Sequence, residues 1–123
     1  MIKIKNAPSP VGPYSQAIKH GNTLYSSGQI AIDPSTNELI LNSLEEETHR
    51  VMKNIAAILE AAEMTWHHIV KCSIFLSDMN NFELINNIYS SYFDQNYPAR
   101  ETVEVACLPK NVNVEISFIA IED

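Results

Sequence analysis

The apolar positions change their period along the chain, and the changes mark the elements. "AIKHGNTLYSSGQIAI" alternates around His20-Gly21-Asn22, which predicts a hairpin with a tight turn. "DPSTNEL" is a second turn region. "SLEEETHRVMKNIAAILEAAEM" switches to helical spacing, with Leu44, Thr48, Val51, Met52, Ile55, Ile58, Leu59 and Ala62 on one stripe. Ser43 stands where an N-cap belongs, Glu46 follows three residues later, and three glutamates load the first turn. "HIVKCSIFLSD" returns to a strand pattern. Asp78 or Asn80 opens a second helix, with Phe82, Ile85, Ile88, Tyr89, Tyr92 and Phe93 on its buried side. "NYP" stops it, because the residue before a proline leaves helical space. Two strands around a turn finish the chain, near 102–107 and 112–121.

The order β-β-α-β-α-β-β predicts an α+β fold, a two-layer sandwich of a mixed sheet with two amphipathic helices on one face. "VNVEISFIAI" is apolar on both faces near its end. Helices can cover only one of those faces, so the pattern predicts a homo-oligomer with the sheets themselves as the contact. The stretch "NAPSPVGPYSQ", with prolines at 8, 10 and 13 and Gly12, reads as an ordered loop.

Composition narrows the class. At 123 residues, 46% hydrophobic and 19% charged, the chain reads as a single folded domain over 1–123. Its net charge of −7 and scattered lysines argue against nucleic acid and against an anionic membrane surface. No apolar run approaches the length of a spanning helix, and the N-terminus lacks the apolar core of a signal peptide, so a cytoplasmic protein is expected. Cys72 and Cys107 fit no CxxC pattern and read as free thiols buried in strands.

Candidate chemistry concentrates at the end of the chain. There is no GxxxxGK, GxGxxG or HExxH. His67 and His68 are adjacent and point apart, and His49 reads as a surface partner of Glu45 or Lys53, so no metal site is expected. Arg100, one of only two arginines, heads one terminal strand, and Glu115 lies inside the other between Val114 and Ile116. If those strands are neighbours, both side chains could open onto one pocket. Arginine's planar fork matches a carboxylate, and a buried glutamate can take a proton from water. From spacing alone, a structural ion pair of Arg100 with Glu115, Glu101 or Glu104 is the plainer reading. Tyr14 in "GPYSQ" and Ser27-Gly28-Gln29 are further candidates, with turn chemistry as the plainer reading there.

Taken together, these stretches resemble the Rid family of reactive-intermediate deaminases, also called YjgF. The resemblance runs through "NAPSPVGPYSQA", "LYSSGQIAIDPSTNEL", "RVMKNIAAILEAAEM" and "VKCSIFLSDMNNFELINNIYSSYF" to "PARETVEVACLPKNVNVEI". It implies a fold similar to the trimeric chorismate mutases, a homotrimer around a β-barrel core, and clefts between subunits. It implies hydrolysis of 2-imino acids released by pyridoxal-phosphate enzymes, such as 2-iminobutanoate and 2-iminopropanoate, to 2-keto acids and ammonia, without cofactor or metal. Arg100 matches the arginine that clamps the substrate carboxylate, and Glu115 the glutamate that positions or activates water. Tyr14, Ser27, Gly28 and Asn86 match cleft residues. The family's cysteine two places after the arginine is Thr102 here, which shares a face with Arg100 by strand alternation. Glu101 replaces a small residue, and the loop before Pro98-Ala99-Arg100 is short for the family. Glu101, as a competitor for Arg100, favours an alternative, a non-catalytic carboxylate-binding or regulatory protein. A ribonuclease, also attached to family members, is disfavoured by the charge.

Overall fold

The computed structural model describes residue 10 and residues 12–123. Most of the predicted loop before Gly12 therefore lies outside the described residues. The elements are β1 (Ala17–His20), β2 (Thr23–Ser26), α1 (Leu44–Ala61), β3 (Ile69–Leu76), α2 (Phe82–Ser90), β4 (Ala99–Glu104) and β5 (Val114–Ile121). The order is the predicted one. Gly21 takes φ 60° in the two-residue turn between β1 and β2, a conformation open to glycine at little cost.

The sheet runs β1-β2-β5-β3-β4. β5 pairs antiparallel with β2 and β3, and β4 pairs parallel with β3. The two terminal strands are therefore not neighbours. A parallel pair needs a crossover, and α2 supplies it, carrying the chain from β3 to β4 at the sheet edge. β4 begins at Ala99 and ends at Glu104, three residues earlier than its predicted span, which leaves Cys107 exposed outside any strand. Cys72 is buried in β3 as expected.

Ser43 Oγ accepts from the Glu46 N–H at 3.1 Å and caps α1. The α1 stripe buries Thr48, Val51, Met52, Ile55, Ile58, Leu59 and Ala62, with Leu44 packed at its margin. Each large aliphatic side chain there contributes about 1.5–3 kcal/mol. The stripe lies over Cys72, Ile74 and Leu76 of β3 and Val114, Ile116, Phe118 and Ala120 of β5. α2 ends at Ser90, short of Tyr92 and Phe93. It buries Ile85 and Tyr89 fully, while Phe82 and Ile88 are half-buried. His49 does not stay with its helix neighbours: its Nδ1 lies 2.6 Å from the Tyr92 hydroxyl.

The opposite face of the sheet has no cover among the described residues. Ile18, Tyr25, Val103 and Ile121, each more than 40% exposed, lie on it with Phe75 and Ile119. Along it, Glu115 shares a row with Phe75 and Val103.

Two α1 residues outside the apolar stripe hold the loops. Asn54 Nδ2 donates to the carbonyls of Ile30 (3.1 Å) and Ile32 (2.9 Å). Glu47, 1% exposed, accepts from the Asn113 backbone N–H and from Asn113 Nδ2, both at 2.7 Å. That clamp fixes the chain just after Lys110 and Asn111, both at φ 56°, and two residues before Glu115. Replacing Glu47 by alanine strands both Asn113 donors. Glu47→Ala should cost about 3 kcal/mol in urea unfolding, and a loss below about 1 kcal/mol would show that the clamp is dispensable.

Candidate active site

Arg100 is in register with Cys72, whose side chain lies under the helices, whereas Glu115 is in register with Phe75 on the uncovered face. Residues paired across strands share a face, so Arg100 and Glu115 project from opposite sides of the sheet. The pocket expected between neighbouring terminal strands does not form within one chain, because β3 intervenes. The candidate residues fall into two groups.

The first group surrounds Arg100. Its Nη1 donates to Asn86 Oδ1 at 2.6 Å. Its guanidinium lies over the rings of Phe82 (5.4 Å) and Tyr89 (5.2 Å). Phe82, Asn86 and Tyr89 recur at helical spacing, so one stripe of α2 makes the whole seat. The sequence reading took Phe82 and Tyr89 as core only. The signal was their spacing about Asn86, and it points to a cation only once β4 is known to run beneath α2. Thr102 follows on the same face, its Oγ1 buried and without a partner among the described residues. Burial pushes the Tyr89 hydroxyl well above the ordinary tyrosine range, with Cys72 adding to the rise, and burial also raises the Cys72 thiol. Both therefore stay neutral at neutral pH.

None of the carboxylates offered as structural partners reaches Arg100. Glu101 points to the opposite face, where it accepts from Ser73 Oγ at 2.8 Å and pairs with Lys71 at 3.4 Å. The Ser73 bond, with Lys71 behind it, holds the Glu101 carboxyl below its ordinary value. Glu104 accepts from the Met79 N–H at 2.7 Å. Among the described residues, Arg100 makes no salt bridge. It lines an open pocket of about 510 Å³ with Asn86, Tyr89, Ser90, Tyr97 and Pro98.

The second group surrounds Glu115. A Cβ on Gly28 would lie 2.6 Å from Glu115 Cδ and Oε2, so glycine is what lets the carboxylate lie against the backbone there. Gln29 and Ile116 exchange both backbone hydrogen bonds, at 2.8 and 3.1 Å. Ser27 Oγ donates to the Ser15 carbonyl at 2.5 Å, and its N–H to the Gln16 carbonyl at 2.9 Å. These bonds tie the Tyr14-Ser15-Gln16 segment to the loop beside Glu115. Tyr14 itself is exposed. Burial raises the Glu115 carboxyl above its ordinary value. The histidines do not assemble a site, and no group of three metal-binding side chains occurs among the described residues. No helix there is long and apolar enough to cross a membrane.

A family model described as Endoribonuclease L-PSP matches residues 4–122. A solved structure of a protein of the conserved Rid family, YyfA from Yersinia pestis, superimposes with a TM-score of 0.95 at 50% identity, covering 98% of this chain and 97% of that one. The chain belongs to this family, the Rid or YjgF family. Among its Rid relatives is the human 2-iminobutanoate/2-iminopropanoate deaminase, 42% identical over 122 residues, covering 99% of this chain and 89% of the human one. Another Rid-like structure, E. coli TdcF with bound serine, superimposes with a TM-score of 0.95 at 36% identity over 100% of this chain and 98% of TdcF.

The Gly28–Glu115 contact gives a direct test. In a crystal structure of Gly28→Ala, the Glu115 carboxylate should move by about 1 Å, enough to restore an ordinary carbon contact, with the Gln29–Ile116 pairing kept. An unmoved carboxylate would mean that the backbone, not Gly28, sets its place.

Proposed function

We propose that the protein hydrolyses 2-imino acids to 2-keto acids and ammonia, at sites formed between subunits of a homotrimer. The observation that carries this reading is the setting of Arg100. Its charge is held by an amide oxygen and two ring faces, with no carboxylate to neutralise it among the described residues, beside an open pocket. A guanidinium so placed favours an anionic ligand, and a carboxylate fits its fork. The activity named for the human relative supplies the rest of the reading.

Glu115 reaches this Arg100 only from another subunit. The uncovered apolar face supports such assembly, because apolar surface left in water favours association. In the assembled cleft, Arg100 binds the substrate carboxylate and Asn86 fixes the guanidinium. Glu115 of the neighbouring subunit takes a proton from water as its oxygen bonds to C2 of the protonated imine. That proton passes to the nitrogen of the carbinolamine, and the C–N bond breaks to release ammonia. The remaining hydroxyl gives its proton to the Glu115 carboxylate as the C2 carbonyl forms, and ammonia carries that proton away as ammonium. Thr102 Oγ1 is free to donate to the substrate, and Tyr14 enters the cleft mouth beside Ser27 and Gly28. An iminium carbon is already electrophilic, so positioning and modest acid–base assistance suffice.

The carboxylate-binder alternative rested on Glu101 competing for Arg100, and Glu101 is engaged by Ser73 and Lys71 on the other face. An RNA substrate is disfavoured by the −7 charge.

A threonine dehydratase generating 2-iminobutanoate in place tests the reading. Wild type should accelerate formation of the 2-keto acid. Arg100→Ala should lose about 10²-fold or more in kcat/KM, and Arg100→Lys at least about tenfold, because lysine keeps the charge and loses the fork. Rates should fall as pH drops through the raised Glu115 pKa, since the base form is needed, and Glu115→Gln should abolish that limb. Wild type without acceleration, folded and assembled, would overturn the proposal.

A further inference from the structure

The pocket beside Arg100 is larger than a small imino acid requires. 2-Iminobutanoate occupies roughly 100 Å³, three to four times the share of a water molecule, against about 510 Å³ in the pocket. The space borders the guanidinium, and its walls are specific. Tyr89 and Tyr97 present aromatic surface, Pro98 is apolar, and Ser90 already spends its hydroxyl proton on the Asn87 carbonyl at 3.0 Å. Among the described residues, no charged side chain other than Arg100 lines it.

Tyr97 is the unusual member. It is 58% exposed, yet its position is fixed from both sides. The connection from α2 to β4 is short, with Gln95 turned to φ 69°. Pro98 follows Tyr97 directly, and the Tyr97 ring lies 6.4 Å from that of Phe93. Phe93 in turn packs on Tyr89 at 4.9 Å and on Trp66 at 5.4 Å. An aromatic ladder from the core thus ends in a ring standing at the pocket mouth. A preorganised ring in water has no stabilising role of its own and is a ready wall for a second ring.

We infer that this pocket receives the substrate side chain and selects 2-imino acids with aromatic or similarly large apolar side chains, with Tyr97 as the specificity-determining residue. The inference rests on the proposed deaminase reading. A carboxylate on Arg100 takes the N–H groups not given to Asn86, and the pocket borders the guanidinium. A side chain extending from C2 then meets Tyr97 and Pro98, where a methyl or ethyl group leaves most of the volume to water. A phenyl ring occupies more of it and stacks on Tyr97.

An L-amino acid oxidase generates the two imines to compare, from phenylalanine and from 2-aminobutyrate, and semicarbazide trapping reads the lifetime of each. Wild type should hydrolyse the aromatic imine with kcat/KM at least equal to that for 2-iminobutanoate. Tyr97→Ala should lower the aromatic-to-small ratio of kcat/KM about tenfold, chiefly through KM, and Tyr97→Phe should keep it. Wild type acting on 2-iminobutanoate but poorly on the aromatic imine would overturn the inference and leave the deaminase reading standing. Loss on both substrates alike in Tyr97→Ala would overturn the role given to Tyr97. Wild type acting on neither would overturn both proposals.

Discussion

Strand β3 forms hydrogen bonds with β5 along one edge and β4 along the other, and this insertion governs what the two charged residues can do. Side chains alternate strictly along a strand, so register decides faces. The register Arg100–Cys72 sends the guanidinium under α2, and Glu115–Phe75 sends the carboxylate to the uncovered face. A one-residue slip of β5 against β3 would reverse the face of Glu115 and expose a core row, Val114, Ile116 and Phe118. The cost of exposing such a row, several kcal/mol, protects the separation of the two groups. Glu47 reinforces it by clamping Asn113 at the entry to β5.

The separation explains why each charge looks incomplete alone. Arg100 has a hydrogen bond and two ring faces but no counter-charge among the described residues. Glu115 is half-buried with no partner among the described residues, and its pKa rises through lost hydration. Had they met within one chain, they would have formed the plain ion pair that spacing suggested, leaving a neutralised site with little pull on a substrate. Divided across the sheet, each stays available to a second molecule.

Much of this was legible in the residues. The α1 stripe, the Gly21 turn and the order of elements follow from period and from glycine's freedom at positive φ. Arg100 and Thr102 do share one face, as strand alternation required, and Asn86 of α2 meets Arg100 over it. Strand adjacency was not legible. A short turn between two apolar runs looks the same whether the strands pair or a third lies between them. The polar content of "ARETVE" was the available hint, since charges are concentrated on edge strands, and β4 is an edge. Glu47 is one of three glutamates in the first turn, and nothing local sets it apart, because its partner, Asn113, is distant in sequence. His49 was misplaced for the same reason, its partner being Tyr92 beyond the end of α2. Cys107 follows an apolar alternation that continues past Glu104, where β4 ends, so the pattern does not show that it is exposed.

The central claim is that one chain supplies Arg100 and another supplies Glu115 to the same site. Mixing tests it most directly. Arg100→Ala and Glu115→Gln chains, each far slower than wild type alone, would be co-expressed and assayed for 2-iminobutanoate hydrolysis. Random assembly into trimers with sites between subunits should restore about a quarter of wild-type activity, because one site in four then joins an intact arginine to an intact glutamate. Mixed trimers that form and stay inactive would contradict the account.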